Sequence, residues 1–462
     1  MTASSPSRFA IRSTNVVTPG KIQALTLLID HGKIHSLLPH NAPLNCPVTD
    51  VGSQAILPGV VDTHVHINDP DAPPRIAWEG FASATKAAAA GGITTLIDMP
   101  LNCTPVTTTL PALHAKRAAF ERMGRGHVDV GFHAGLIHGN AGEIESLLNA
   151  GVVGVKAFLV HSGIDDFPAA KEADLRAVMP LLAQRRVPLL AHAEMDDIAA
   201  GSPPNDNVRS YARYLASRPA HWETAAIDLL IRLAEEYRCP THIVHLATEE
   251  ALPLLRAARA RGVPITVETC PHYLHFTAED IPEGATHYKC APPIREQKTR
   301  EALWTALRLG DIDMIASDHS PCPPALKRME SGDFSTAWGG ISALQLMLPV
   351  IHNDAAPRGA SLLQLAHWLS EFPAKLVGLH NKGTIAAGKD ADLVVFDPTA
   401  RFTVDAAALH HRYKITPYDG ETLQGIVRQT YLRGTLIYDD GRFPAAHHGQ
   451  LLTHERTGHV RH

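Results

Sequence analysis

The chain has 462 residues, 45% of them hydrophobic and 19% charged, which is ordinary for a folded globular protein and too much for one small core. A net charge of −5 gives no reason to expect nucleic acid or an anionic membrane as a partner. No apolar run is long enough to span a bilayer, and the opening Met1-Thr2-Ala3-Ser4-Ser5-Pro6 lacks the apolar core of a secretory signal, so a cytoplasmic protein is expected.

Residues 8–57 alternate in short apolar runs separated by turn signals such as Pro19-Gly20 and His31-Gly32, the pattern of hairpins. The C-terminal part returns to that style. Asp392–Asp397 and Val427–Gly434 read as strands, and Asp440-Gly441 as a hairpin signal. Two distant β-rich segments of similar style predict one small β-sandwich built from both chain ends. The expected division is residues 1–57 and 384–446 for the sandwich, 58–383 for a central domain, and 447–462 for a mobile tail rich in His, Gly and Arg.

In the central domain short apolar runs alternate with longer amphipathic stretches. Strands are predicted at 59–67, 93–99, 128–137, 152–160, 187–193, 241–247, 264–270 and 313–319, with helices at 80–90, 142–149, 173–185, 221–237 and 249–261. Several strands are almost wholly apolar, as parallel strands covered on both faces should be. Eight strands alternating with helices predict an α/β fold of the (β/α)8, TIM-like barrel kind. An open doubly wound sheet is the alternative, but the Gly-rich turn of its nucleotide-binding version is absent.

Polar residues recur at the predicted C-terminal strand ends. His64 and His66 close the first strand, where residues i and i+2 share a face. Lys156 lies in the fourth, His192 ends the fifth, His245 the sixth and Asp318 the eighth. Each has a bland reading. A single histidine can be a satisfied strand end, Lys156 can pair with a carboxylate, and Asp318 can cap the turn before Ser320-Pro321. Six such residues at one barrel rim point instead to a metal site, because catalytic groups in this fold come from the C-terminal ends of several strands. The six cysteines form no Cys-x-x-Cys pair, so free thiols are expected; Cys103 and Cys322 read as small apolar fillers rather than nucleophiles.

With these motifs in place, the chain resembles the cyclic amidases of the amidohydrolase superfamily from about Ile56 to Asp397. The resemblance rests on Gly59-Val60-Val61-Asp62-Thr63-His64-Val65-His66, on Lys156, on Ser317-Asp318-His319-Ser320-Pro321, and on the turn from Gly383 to Asp392. Trp78-Glu79-Gly80, Asp98–Asn102, Glu268–Tyr273, Ser320–Pro324 and Ala337–Ile341 are most similar to members that open a cyclic ureide. The resemblance implies two divalent metal ions, zinc foremost and cobalt, manganese or iron as alternatives. His64, His66 and Asp318 would hold one ion and His192 and His245 the other, bridged by a CO2-derived carbamate on Lys156. It also implies attack by a hydroxide held between the ions, Asp318 as general base and then acid, a small-molecule ureide substrate, and a homotetramer.

By the same resemblance Asn102, Ser162, Ala291 and Gly339 are candidate substrate contacts, the last two through the backbone. Asn102 reads equally as a turn residue. Two departures narrow the substrate. Dihydropyrimidinases carry a tyrosine five residues beyond the bridging lysine, where this chain has His161. Dihydroorotases carry an arginine two residues after the second histidine, where this chain has Asn68. His272 and His319 are expected to support the site rather than bind metal.

Overall fold

The computed structural model describes residues 8–196, 207–445 and 448–454. The chain begins with β1 (Arg8–Thr18), β2 (Lys21–Asp30), β3 (Lys33–Pro39), β4 (Val48–Asp50) and β5 (Ala55–Pro58). Eight strands of the central region follow: β6 (Val60–Val65), β7 (Ile93–Asp98), β8 (Asp129–Leu136), β9 (Gly154–Phe158), β10 (Leu189–His192), β11 (Thr241–Ile243), β12 (Ile265–Thr269) and β13 (Met314–Ile315). The chain then returns through β14 (Leu393–Thr403), β15 (Thr422–Leu432) and β16 (Thr435–Asp439).

The central strands pair in parallel in strict chain order, β6 through β13. A parallel bridge between Val65 and His319 joins the two ends, so the sheet closes on itself. This is the predicted barrel. Its helices bury an apolar stripe against it; the helix Ala220–Tyr237 buries Ala226, Ile227, Leu230, Leu233 and Ala234, positions three and four apart.

β13 is much shorter than the predicted 313–319. Beyond Ala316, whose N still donates to Thr269 O (3.1 Å), side chains accept from the backbone: Ser317 N donates to Asp62 Oδ1 (3.2 Å) and His319 N to Ser317 Oγ (3.0 Å). Asp318 between them adopts a left-handed conformation with φ 44°, so its carboxylate leaves the strand direction at the barrel mouth.

Both chain ends build one continuous sheet, in the order β16-β15-β14-β5-β1-β2-β3 with β4 beside β1. Alternation explains its placement. Leu393 and Val395 of β14 join Phe9, Ile11, Leu27 and Ile56 in a core of the sheet's own. Val394 and Phe396 point the other way and join the barrel's core. A run of four apolar residues is therefore buried on both faces. The β15–β16 hairpin turns at Arg433-Gly434, both at positive φ. The predicted Asp440-Gly441 turn closes only an isolated Asp439–Arg442 bridge.

The tail expected to be mobile from residue 447 is partly docked. Val130 N donates to Gln450 O (2.9 Å), Leu452 N to Val130 O (2.8 Å) and His454 N to Gly151 O (3.2 Å). The reason is an open strand edge. β8 begins at Asp129, but its pairing with β9 begins only at His133, so the tail satisfies backbone groups there. Residues 447 and 455–462 lie outside the described residues. No described helix is long and apolar enough to cross a membrane.

Candidate metal centre

The six ligand-type residues converge at the C-terminal mouth of the barrel. β6 delivers His64, and His66 follows it, held by donation from its backbone N to His319 O (2.8 Å). Asp318 Oδ1 stands 3.2 Å from His64 Nε2 and 3.5 Å from His66 Nε2. The His245 ring centroid lies 5.4 Å from that of His64 and 4.6 Å from that of His192. The His192 ring stacks on Phe158 at 4.4 Å. Lys156 is buried below them on β9, with its Nζ 4.9 Å from the Phe158 ring.

Two features show that these groups are incomplete by themselves. Lys156 Nζ and His245 Nδ1 are buried without a hydrogen-bond partner, a costly arrangement for polar atoms. His64, His66 and Asp318 also place a ligand atom each within 4.8 Å of one another. A cation between them satisfies all three, so this donor set fits a divalent metal.

The electrostatics favour the ligand forms. Burial lowers His66, brings His192 down to about 4 and holds His245 well below the usual histidine range, so the rings keep free lone pairs near neutrality. Burial opposes ionisation of Asp318, but the imidazoles of His64, His66 and His245 outweigh it and keep the carboxyl well below its usual range. Burial draws Lys156 down to about 8, against the pull of Asp318 and Glu268. A lysine so lowered loses its proton readily.

Carboxylates behind the imidazoles, whose roles sequence reasoning missed, set ring orientation. His64 Nδ1 donates to Glu268 Oε1 at 2.5 Å, leaving Nε2 toward Asp318. Glu268 also accepts from His242 Nε2 (3.0 Å) and His245 N (3.3 Å). His192 Nε2 donates to Glu194 Oε2 at 2.6 Å, and Arg218 pairs with the same carboxylate. Burial works against both acids. For Glu268, His64 and His242 outweigh it and hold the carboxyl at about 2; for Glu194, Arg218 and His192 do so, also to about 2. The legible signal was a carboxylate inside an apolar strand, as in Ile265-Thr266-Val267-Glu268.

A cavity of about 640 Å³ opens above this cluster. His64, His66, His192, His245 and Asp318 line it; Lys156 is fully buried and outside the lining. All four candidate substrate contacts line it too, with differing freedom. The Asn102 amide stands 3.4 Å from His66 Nδ1, so it orients that ring as well as facing the cavity. With its oxygen toward the ring, it would accept a hydrogen bond from Nδ1–H and leave Nε2 for an ion. The Ser162 hydroxyl is committed to Phe167 O at 2.6 Å. Gly339 approaches Ala291: a Cβ built at Gly339 would lie 3.8 Å from Ala291 N.

His161 turns toward its own loop, where its Nδ1 accepts from Gly163 N (3.1 Å). His319 points away from the ligands. Its Nδ1 accepts from Ala343 N and Leu344 N, and its Nε2 lies 3.7 Å from Glu79. His272 is closer to the chemistry than expected, because Cys270, His272 and Asp318 form a second potential ligand group. The described cysteines are all free thiols, and burial raises Cys103 and Cys322 above the usual thiol range, in keeping with inert fillers.

A closed β/α barrel with imidazoles and carboxylates gathered at its C-terminal mouth defines a metal-dependent hydrolase. The family model described as amidohydrolase family matches residues 55–437; the chain belongs to that family. It is 47% identical to an allantoinase of Streptomyces avermitilis, covering 96% of this chain and 98% of that protein. It is 44% identical to an allantoinase of Arabidopsis thaliana, covering 96% and 90%. Among solved structures, an L-hydantoinase from Arthrobacter aurescens superposes with a TM-score of 0.89 at 31% identity, covering 96% of this chain and 99% of that one.

Proposed function

We propose that this enzyme hydrolyses the five-membered ureide ring of allantoin to give allantoate. The observation that carries the reading is that His64, His66, His192, His245 and Asp318 line one cavity at the barrel mouth, with Lys156 buried on a neighbouring strand, in a chain 44–47% identical to allantoinases along nearly its whole length. His64, His66 and Asp318 would hold one divalent ion, zinc foremost, and His192 and His245 a second. Lys156 would serve both as a carbamate: its neutral amine adds carbon dioxide, releases a proton and becomes an anion with two oxygens. The unpartnered, buried, lowered Lys156 supports this role. Ions held there would lower the pKa of water toward about 7 and polarise the ring carbonyl.

The chain's own groups do the rest. Asp318 takes the proton of the attacking water and delivers it to the ring nitrogen as the carbon–nitrogen bond breaks, so one water is consumed and the ring opens to a ureido acid. Phe158 walls the His192 side of the cavity. Ala291 and Gly339 present backbone to the planar ring, and Asn102 keeps His66 in place while facing the substrate.

The test is turnover of purified protein loaded with defined metals in the presence of bicarbonate. Allantoate formation is expected, with allantoin preferred over hydantoin and dihydropyrimidines. The likeness to an L-hydantoinase structure favours a second reading, a hydantoinase. A preference for unsubstituted or 5-alkyl hydantoins would establish that reading and remove the first.

A further inference from the structure

Beside the cavity runs the segment 337–341, whose backbone is held from several directions. Trp338 N donates to Leu326 O (2.8 Å), Gly340 N to Lys289 O (2.8 Å), and Ser320 N to Ile341 O (3.0 Å). Two lysines take its carbonyls. Lys289 Nζ donates to Ala337 O (2.6 Å), and the buried Lys327 Nζ donates to both Trp338 O (3.2 Å) and Gly340 O. Gly340 fits only as glycine, because a Cβ there would lie 2.2 Å from Ser320 O.

Peptide planarity turns these contacts into a direction for Gly339. In a trans peptide the C=O and N–H point to opposite sides. The peptide joining Trp338 to Gly339 has its oxygen on Lys327, so the Gly339 N–H points away from Lys327. The peptide joining Gly339 to Gly340 has its N–H on Lys289 O, so the Gly339 C=O points away from that anchor. Gly339 lines the cavity beside Ala291. One donor and one acceptor on adjacent peptides match the C=O and N–H along one edge of a cyclic ureide.

We propose that Lys327 is a positioning residue for substrate recognition: its buried ammonium holds the Trp338 carbonyl, and with it the peptide joining Trp338 to Gly339, and so commits the Gly339 N–H to reading the ring's amide edge. The inference rests on the ureide reading above and names what sets its specificity. Lys327 lies outside the cavity lining, and its hydrogen bonds go to the Trp338 and Gly340 carbonyls. Its loss therefore weakens binding and leaves the chemistry intact.

The experiment compares wild type, Lys327→Met and Lys327→Arg, each loaded with metal and bicarbonate. Allantoin KM and kcat, bound metal and melting temperature are measured for each. For Lys327→Met, KM rises by about tenfold or more while kcat stays within about threefold and metal content is unchanged. Lys327→Arg, which keeps a cationic donor, shows a smaller rise. A folded, metal-replete Lys327→Met with wild-type KM overturns the clamp, as does a loss confined to kcat. If Lys327→Met does not accumulate as folded protein, the arginine variant decides. Its fork cannot reproduce the ammonium's two bonds, so a raised KM supports the clamp and a wild-type KM overturns it. Absence of ureide turnover by loaded wild type removes the functional reading itself, a result distinct from any of these.

Discussion

His64 Nδ1 and Glu268 Oε1 lie 2.5 Å apart, both buried, at the base of the metal centre. This bond fixes the His64 tautomer, and the same carboxylate reaches the backbone N–H of His245, a residue held at φ 42°. One acid thus orients groups proposed for both ions. Glu268→Gln is expected to weaken metal binding roughly 10–100-fold, the usual scale for such supports. Chelator competition followed by metal analysis measures it. Wild-type affinity in that variant would remove the orienting role.

On the proposed carbamate role, Lys156→Ala should lose bound metal and turnover together. Metal analysis of the purified variant is the direct check. In wild type stripped of metal, reconstitution should require bicarbonate and proceed faster as pH rises through about 8, where the lysine becomes neutral. Equal reconstitution without any carbon dioxide source would contradict the carbamate.

Asp318→Asn should keep much of its metal and lose turnover by about 10²–10⁴-fold, the span of general acid–base catalysis. The asparagine retains an oxygen ligand but cannot carry the proton. A variant with near-normal kcat would show that another group moves it.

Metal-free protein should gain stability with alkaline pH. Lys156 falls from 10.5 to about 8 on folding. Between these values the unfolded chain still holds the proton and the folded chain has released it, so stability climbs as pH rises. Burial lowers Lys289 to about 8 as well. The informative quantity is therefore the difference between wild type and Lys156→Met in urea titrations below and above that window. An identical pH slope in the two proteins would mean that Lys156 is not desolvated as described.

Truncation after residue 445 should lower the melting temperature by a few degrees and leave allantoin KM unchanged. The residues removed pair with Val130 and Gly151, at the N-terminal ends of β8 and β9. The candidate site lies at the opposite end of the barrel. A shift in KM without a change in stability would contradict this division.

Much of the architecture is legible before any coordinates. Apolar strands alternating with amphipathic helices call for parallel strands covered on both faces, and eight such repeats point to a closed barrel. His64, His66, Lys156, His192, His245 and Asp318 stand out for a local reason. Each interrupts or ends an apolar run, where a polar side chain needs a purpose. The sequence did not show that β13 stops at Ile315, because Asp62, far away in the chain, supplies the acceptor that bends it. Nor did it show that residues 448–454 would dock, because the vacant edge of β8 exists only once β9 starts late.

What the sequence by itself determined is which side chains are present at strand ends and which family they resemble, since periodicity and motif are properties of neighbours along the chain. Only the tertiary structure decided that Glu268 and Glu194 stand behind those imidazoles, that Asn102 leans on His66, and that Lys327 holds the peptides beside Gly339. Apart from Glu194, which sits two positions from His192, those relations join residues from about ten to about two hundred positions apart. Hydrogen bonding and desolvation depend on distance in space, which the closed barrel sets and the linear order does not.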